Sequence, residues 1–302
     1  MMDAINHYLT VRRVCGFVLS NDEVLLRSYA TFAARRHEKH VNASTAIEWA
    51  GLGPSIAQRD TRLRTVCRFS RFIRLDDNAH QLPPARHFSH HKKRRLPYIY
   101  SDTELAQLIQ AALELDTRDA LRPRTYATLI ALLAVTGLRI SEAINLRLSE
   151  VTTEGLVISK TKFHKSRLVP LHESAALGLD RYLRFRSRWN ACDDHVFIDD
   201  GGKELSYGVV YRMFQKLLNA AQLSSPSERP RPRLHDLRHR FAVRALQASP
   251  QNCASVSQHM LALSTYLGHV NIDATYWYLE ATPELLRDIC STCETFYAGG
   301  AS

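Results

Sequence analysis

A proline-bounded and strongly basic stretch divides this sequence and limits the folds open to it. The stretch runs from Leu82 to Pro97 and contains the run HHKKRR. Proline and clustered like charges disfavour packed secondary structure, so we interpret residues 86–97 as a basic linker. The sequence therefore predicts two domains, residues 1–85 and residues 98–302, each long enough to bury a core.

The first domain carries the apolar periodicity of amphipathic helices. Ser20 to Glu23 has the spacing of a capping box, and apolar residues follow it at helical intervals. A second helical stretch follows Pro54, and arginines alternate with its apolar positions. These patterns predict a small basic helical bundle.

Helical signals also begin the second domain. Ser101 and Glu104 form another capping-box pattern in front of an apolar stripe. Residues 124–136 are apolar almost all round, which is typical of a central core helix, and Gly137 is a natural C-cap. We therefore expect this domain to be built around a buried helix.

One hairpin interrupts these helices. The runs at 156–159 and 167–171 are rich in β-forming residues and predict a pair of antiparallel strands. Further helices are predicted to begin at Ser206 and to span about 235–248. The expected fold class is mainly α with a small antiparallel β-sheet (α+β).

The charge balance indicates a polyanionic partner. The formal net charge is +10, and residues 1–97 carry 17 basic and 8 acidic side chains. The sequence has neither an apolar run long enough for a membrane span nor the pattern of a signal peptide. Six scattered cysteines fit a reducing compartment better than a disulfide scaffold. We expect a cytoplasmic protein with no membrane partner.

Four clusters in the second domain combine cations with groups that can carry a proton. They are Thr136-Gly-Leu-Arg139-Ile-Ser-Glu142, Lys162-Phe-His-Lys165-Ser-Arg167, His235-Asp-Leu-Arg238-His239, and Leu267-Gly-His269 with Tyr278 nine residues further on. In this order they resemble the tyrosine recombinase (phage integrase) family, in which Arg, Lys, His-x-x-Arg, His and Tyr follow one another. By its motifs the resemblance covers residues from about 99 to 282.

The residue types suit phosphodiester chemistry. A phosphodiester transition state spreads negative charge over nonbridging oxygens, and two guanidiniums, Arg139 and Arg238, can hold those oxygens. A phenol, Tyr278, can act as nucleophile and form a phosphotyrosyl ester that retains the bond energy for rejoining. The leaving oxygen needs a proton, and Lys162, at the family's position in the hairpin, would supply it.

The resemblance also implies catalytic roles for His235 and His269, in contacting the phosphate and assisting proton movement at the tyrosine. Which histidine has which role stays open. Neither a carboxylate pair nor a metal-spaced His/Cys cluster accompanies these residues, so we expect a reaction that needs no metal, cofactor or ATP. Cys290 and Cys293 resemble half of a zinc site, but no second pair lies near them in sequence.

Structural alternatives exist for several of these residues. Arg139 could instead pair with Glu142 or satisfy helix carbonyls, and Lys165 competes with Lys162 as the general acid. His239 shares a helix face with His235 and is interpreted as a structural hydrogen-bonding residue.

The nucleophile has a neighbouring competitor. Tyr276 would ordinarily be a core aromatic residue, and only Tyr278 has the family's nine-residue offset from His269. The residues after Tyr278 depart from the commoner x-His pattern, which puts only a secondary contact in doubt.

Basic residues in three segments are predicted to contact DNA phosphates. They are Arg59, Arg62, Arg64, Arg68, Lys92, Lys93, Arg94, Arg95, Lys165 and Arg167. A purely solvated role is the alternative for the basic runs.

The resemblance implies a nucleoid-associated enzyme that exchanges strands between two DNA duplexes. A helical core-binding domain and a catalytic domain would form a clamp around double-stranded DNA with a specific recombination site. Cleavage would proceed through a 3′-phosphotyrosyl intermediate in a homo-tetramer, with possible accessory directionality proteins and a C-terminal segment that docks on a neighbouring protomer. The alternatives are a type IB topoisomerase-like relaxing enzyme, a catalytically silent DNA-binding protein and, more remotely, a metal-dependent nuclease.

Overall fold

A computed structural model describes most of the chain. The described residues are 1–88, 96–115, 121–159, 166–189, 193–223, 230–248 and 253–268. The chain divides into two compact units, Met1–Arg94 and Arg95–Ser302. Within the described residues, no helix is both long and apolar enough to cross a membrane.

Residues 1–88, the described part of the first unit, form four helices. They are α1 (Met2–Val14), α2 (Ser20–Ala34), α3 (Ala43–Gly51) and α4 (Ile56–Ile73). Their apolar faces bury one core, in which Tyr29 packs edge-on against Trp49 with ring centroids 5.5 Å apart. The predicted basic helical bundle therefore forms.

The start of α2 differs from its prediction. The capping box at Ser20 is wrong, because Leu19 occupies the N-cap position with a φ of 53° and Ser20 is already helical. The Glu23 carboxylate instead pairs with two guanidiniums, those of Arg13 and Arg27. These ion pairs occupy the carboxylate that a capping box would need.

The described part of the second unit contains seven helices and a small sheet. The helices are α5 (Asp102–Leu113), α6 (Leu121–Thr136), α7 (Ile140–Ile144), α8 (Glu173–Arg186), α9 (Tyr207–Ala220), α10 (Leu234–Gln247) and α11 (Cys253–Leu267). The strands are β1 (Val151–Thr152), β2 (Gly155–Ile158) and β3 (Arg167–Val169), after a 3-10 turn at Leu148–Glu150.

The buried helix α6 organises this unit. It packs against α5, α8 and α10, and most of its side chains are buried, as its apolar sequence predicts. The capping box at Ser101 is confirmed, since Ser101 Oγ accepts the Glu104 N–H at 3.1 Å and Glu104 Oε2 accepts the Ser101 N–H at 2.8 Å.

The predicted hairpin is confirmed. The strands pair in the antiparallel order β1-β2-β3, and Leu156 lies opposite Val169 while Ile158 lies opposite Arg167. The register buries Leu156, Ile158 and Val169 in the core and leaves Arg167 at the end of the ladder. The described fold is thus mainly helical with one small antiparallel sheet.

Candidate active site

A tight turn at the end of α6 places Arg139. Gly137 has a φ of 61°, and a Cβ there would lie 2.5 Å from Phe241 Cδ1, so glycine is required. The Leu138 N–H donates to Thr136 Oγ1 at 3.4 Å within this turn. Arg139 then takes the N-cap position of α7, and its side chain is 35% exposed.

A buried carboxylate, Glu142, joins two arginines. Its Oε1 accepts from Arg139 Nη1 at 2.7 Å, and its Oε2 accepts from Arg167 Nη2 at 2.7 Å. Burial alone would raise the pKa of Glu142, but the hydrogen bonds from Arg167 and Arg139 outweigh it and lower the pKa to about 2. Glu142 is therefore an anion at neutral pH.

Arg238 links the ends of two helices. It projects from α10 and is only 2% exposed. Its Nη1 donates to the Gly137 carbonyl at 2.6 Å, and its Nη2 donates to the Leu267 carbonyl at 2.5 Å. The guanidinium thereby fixes the turn after α6 against the end of α11.

Three arginines converge on three successive carbonyls at the end of α11. Arg167 Nε donates to the residue 266 carbonyl at 2.9 Å, Arg238 to that of residue 267, and Arg139 Nη2 to that of residue 268 at 3.1 Å. Carbonyls in the last turn of a helix lack intrahelical donors and carry the negative end of the macrodipole. The arginines supply both donors and positive charge, immediately before His269 in the chain.

His235 lies one turn before Arg238 on α10. The residue is exposed, yet desolvation by the surrounding protein and repulsion from Arg238, Arg233 and Arg139 lower its pKa to about 4. The ring packs edge-on against His239, with centroids 4.7 Å apart. His235 is thus neutral near pH 7 and able to accept a proton.

The structure brings Arg139, Arg238 and His235 together but describes only this half of the predicted catalytic set. Lys162, His269 and Tyr278 lie outside the described residues. The same holds for Lys165, Lys92, Lys93, Arg94, Arg95, Tyr276, Cys290 and Cys293.

The first two predicted phosphate-binding arginines of α4 contact the end of α3. Arg59 Nε donates to the Gly53 carbonyl at 2.8 Å. Arg62 lies 5.3 Å from the centre of the Trp49 ring and donates to the Trp49 carbonyl at 3.4 Å. Both side chains therefore support the local fold.

The other two pair with carboxylates. Arg64 Nε lies 2.9 Å from Asp60 Oδ1, and Arg68 Nη2 lies 3.0 Å from Asp22 Oδ1. The arginine side chains are 52% and 45% exposed, so both remain accessible to an anion. Their contact with phosphate stays a prediction.

One group of possible metal ligands lies in the first unit. The His40, Asp77 and His80 ligand atoms lie close together. However, the Val41 N–H donates to His80 Nδ1 at 2.9 Å, so the neutral His80 ring carries its proton on Nε2, towards Asp77. That tautomer orients a hydrogen-bond donor, not a metal ligand, at the shared position.

A second group surrounds His195 in the second unit. The buried ring pairs through Nδ1 with Asp193, and its Nε2 lies 3.3 Å from Glu204 Oε2. Both ring nitrogens therefore face carboxylates. This group is better described as a structural histidine between two carboxylates than as a metal site.

The sequence alone does not indicate the full roles of two residues. It suggests Glu142 only as an alternative partner for Arg139, and Arg167 only as a phosphate contact. Glu142 follows Arg139 by three residues, and residues at this spacing share a helix face, so the sequence predicts that the two side chains can pair. The pairing of Glu142 with Arg167 joins α7 to β3 and has no local signal.

The described site can bind and polarise a tetrahedral anion. Arg139, Arg167 and Arg238 bring three positive charges together, Glu142 compensates one of them, and His235 is neutral. Two of the five guanidinium N–H groups of Arg139 donate to described residues, so donors remain for a ligand. A phosphodiester suits such a site because its charge lies on nonbridging oxygens.

The chain is similar to several known proteins. The model of the Phage integrase family matches residues 100–284. Over 296 residues the chain is 38% identical to y4rB of Sinorhizobium fredii (strain NBRC 101917 / NGR234), named as an integrase/recombinase, with 94% of each chain covered. It is 30% identical to the tyrosine recombinase XerD of Caulobacter vibrioides, over 80% of this chain and 76% of XerD. The solved Tn1549 transposon integrase, in complex with transposon right end DNA, superposes with a TM-score of 0.64 at 18% identity, covering 96% of this chain and 98% of that one.

Proposed function

Because the chain belongs to the phage integrase family and is a tyrosine-class site-specific recombinase, we propose that its substrate is double-stranded DNA, cleaved and rejoined through Tyr278. The observation that carries the proposal is the convergence of Arg139, Arg167 and Arg238 on the carbonyls that immediately precede His269. This arrangement gathers positive charge at the carbonyls that come just before His269 in the chain.

In the proposed reaction, the Tyr278 phenolic oxygen bonds to the scissile phosphorus as the P–O5′ bond breaks. The Lys162 ammonium gives a proton to the departing 5′ oxygen, which leaves as a hydroxyl. The product is a 3′-phosphotyrosyl ester. A 5′-hydroxyl of the partner duplex then attacks that ester and releases Tyr278, so no external energy source is consumed.

The cations stabilise the transition state. Arg139 and Arg238 hold the nonbridging oxygens, where negative charge develops. Of the two histidines in the proposed site, His235 is neutral near pH 7 and can accept the phenolic proton. A bound phosphodiester would offset the repulsion from the arginines and raise the pKa of His235 from its low value.

The experiment traps the covalent intermediate on a mixture of DNA sequences, so the target site need not be chosen in advance. Purified protein is incubated with a library of nicked duplexes that includes the repeats flanking its gene, and detergent-resistant adducts are recovered and sequenced. We expect the wild type and Tyr276→Phe to form adducts and Tyr278→Phe to bind the same DNA without forming one. An adduct on Tyr278→Phe would refute the assignment of the nucleophile.

We further propose a homo-tetramer assembled on two copies of the site, which would make the protein nucleoid-associated in the cytoplasm. The support is the family's reaction, in which two pairs of protomers exchange strands in turn. Sedimentation of the protein with its trapped site tests the assembly. Four protomers for two duplexes are expected, and a stable one-to-one complex that still recombines would contradict it. Recombination by purified protein alone would show that accessory directionality proteins are dispensable.

A further inference from the structure

Arg167 occupies an unusual place for a residue predicted to contact DNA. It begins β3, yet its side chain is only 13% exposed. Its Nε donates to the Tyr266 carbonyl at 2.9 Å, its Nη1 to Glu142 Oε1 at 3.0 Å and its Nη2 to Glu142 Oε2 at 2.7 Å. All three guanidinium nitrogens are therefore used within the protein.

We propose that Arg167 is a positioning residue for the cleavage step, an inference that rests on the function proposed above. It ties β3 to two other parts of the site, α7 through Glu142 and the end of α11 through Tyr266. Lys162 precedes Arg167 by five residues on the hairpin, and His269 follows Tyr266 by three residues. Arg167 thus joins β3, α7 and the end of α11, three elements that adjoin the predicted catalytic residues in the chain.

The link to Arg139 passes through Glu142. Arg139 Nη1 and Arg167 Nη1 both donate to Glu142 Oε1, at 2.7 and 3.0 Å. The carboxylate is 8% exposed, and two cations compensate its single charge. Without Arg167, Glu142 would still accept from the Arg139 backbone N–H at 2.9 Å and from Arg139 Nη1, but this pair would lose its tie to β3 and to the end of α11. Arg139 would then lose the fixed position relative to the rest of the site that transition-state stabilisation requires.

The backbone at the end of α11 is shaped around the same guanidinium. Gly268 has a φ of 65°, and a Cβ there would lie 3.1 Å from Arg167 Nη1. Arg139 Nη2 donates to the carbonyl of the same glycine at 3.1 Å. Lysine could not replace Arg167, because an ammonium lacks the planar fork that serves a carboxylate and a carbonyl together.

The test separates positioning from phosphate binding. Cleavage of a nicked substrate by Arg167→Lys is measured at saturating DNA, and DNA affinity is measured as a function of salt. We expect a loss of at least about 10-fold in the saturated rate, with unchanged affinity and salt dependence. A direct phosphate contact predicts the reverse: weaker binding, because lysine lacks the bidentate fork, and a normal saturated rate. The salt slope should stay unchanged in both cases, because lysine keeps the positive charge. Weaker binding with a normal saturated rate would overturn the proposal.

The control is Arg184→Lys, which alters an 80% exposed arginine paired with Asp180 in α8. We expect wild-type cleavage from it. Circular dichroism and the melting temperature establish that Arg167→Lys is folded. A wild type that forms no adduct would instead contradict the proposed function, so the two failures are distinguishable.

A double-mutant cycle gives a second measurement that does not depend on Arg167→Lys alone. If Arg167 acts through Glu142, then Arg167→Lys combined with Glu142→Gln should cleave about as slowly as the slower single variant. If the two fold losses in cleavage rate multiply in the double variant, Arg167 and Glu142 act independently and the proposal is overturned. Should Arg167→Lys not fold, Glu142→Gln alone must reproduce the loss of saturated rate with unchanged affinity, and a normal rate from it refutes the link.

Discussion

Replacing Glu142 by glutamine should destabilise the second unit by an amount that depends on pH. The Glu142 carboxylate has a pKa of about 2, against an ordinary value of 4.5. This difference of 2.5 pKa units corresponds to about 3 kcal/mol of free energy of unfolding at pH 7. The side chain is only 8% exposed, so solvent screens its ion pairs weakly.

The sign follows from proton linkage. Between pH 2 and 4.5 the unfolded chain binds more protons at this position than the folded chain, so the free energy of unfolding falls as the pH falls. The stabilisation from Glu142 is fully present above the ordinary pKa and decreases by about 2 kcal/mol between pH 7 and pH 3. Glutamine has no charge to lose, so the difference between wild type and variant should shrink by that amount.

Urea unfolding followed by tryptophan fluorescence measures this difference. The chain has three tryptophans, and Trp49→Phe leaves Trp189 and Trp277, which both belong to the second unit. Unfolding of Glu142→Gln is compared with its parent in that background, from pH 7 down to the lowest pH at which both unfold reversibly. Equal stabilities at pH 7, or a difference that does not change with pH, would refute the electrostatic account of Glu142.

Three other outcomes are expected. Arg139→Ala should slow cleavage at saturating DNA by at least about 100-fold, the scale of losing one preorganised charge donor, and a normal saturated rate would contradict its role. Lys162→Ala should cleave slowly but recover on a 5′-phosphorothiolate, whose sulfur leaves without a proton; rescue of Lys165→Ala instead would move the general acid along the hairpin. Gly137→Ala should lower the free energy of unfolding by about 2–4 kcal/mol through left-handed strain and contact with a neighbouring ring. Gly178→Ala, in the open interior of α8, should be neutral or stabilising in the same measurement.

Local signals predicted much of the fold. The capping box at Ser101, the apolar circumference of α6, the C-cap at Gly137 and the N-cap at Ser206 depend on residues close in sequence, and the structure has all four. The box at Ser20 failed because Glu23 pairs with Arg13 of α1 and with Arg27 of its own helix. The contact with Arg13 is tertiary and has no local pattern.

The candidate site also has one part that the sequence predicted and another that depends on tertiary packing. The order of its motifs indicated Arg139, Arg238 and His235 together, and they do lie together. The roles of Glu142 and Arg167 required the pairing of α7 with β3, which are separated by more than twenty residues. The capping of α11 by side chains from three other elements likewise depends on packing, because each donor is distant in sequence from the carbonyl that it reaches.

The capped end of α11 decides how an inactive form of this protein should be prepared. Each arginine there donates hydrogen bonds to the backbone as well as supplying positive charge. Replacing one therefore changes both the structure of the site and its reactivity. Structures determined with arginine variants would therefore show a site in which the end of α11 has lost some of its hydrogen bonds. Removing the phenolic oxygen of Tyr278 removes the nucleophile and leaves the arginine hydrogen bonds unchanged. For trapping the uncleaved DNA complex, Tyr278→Phe is accordingly the variant of choice.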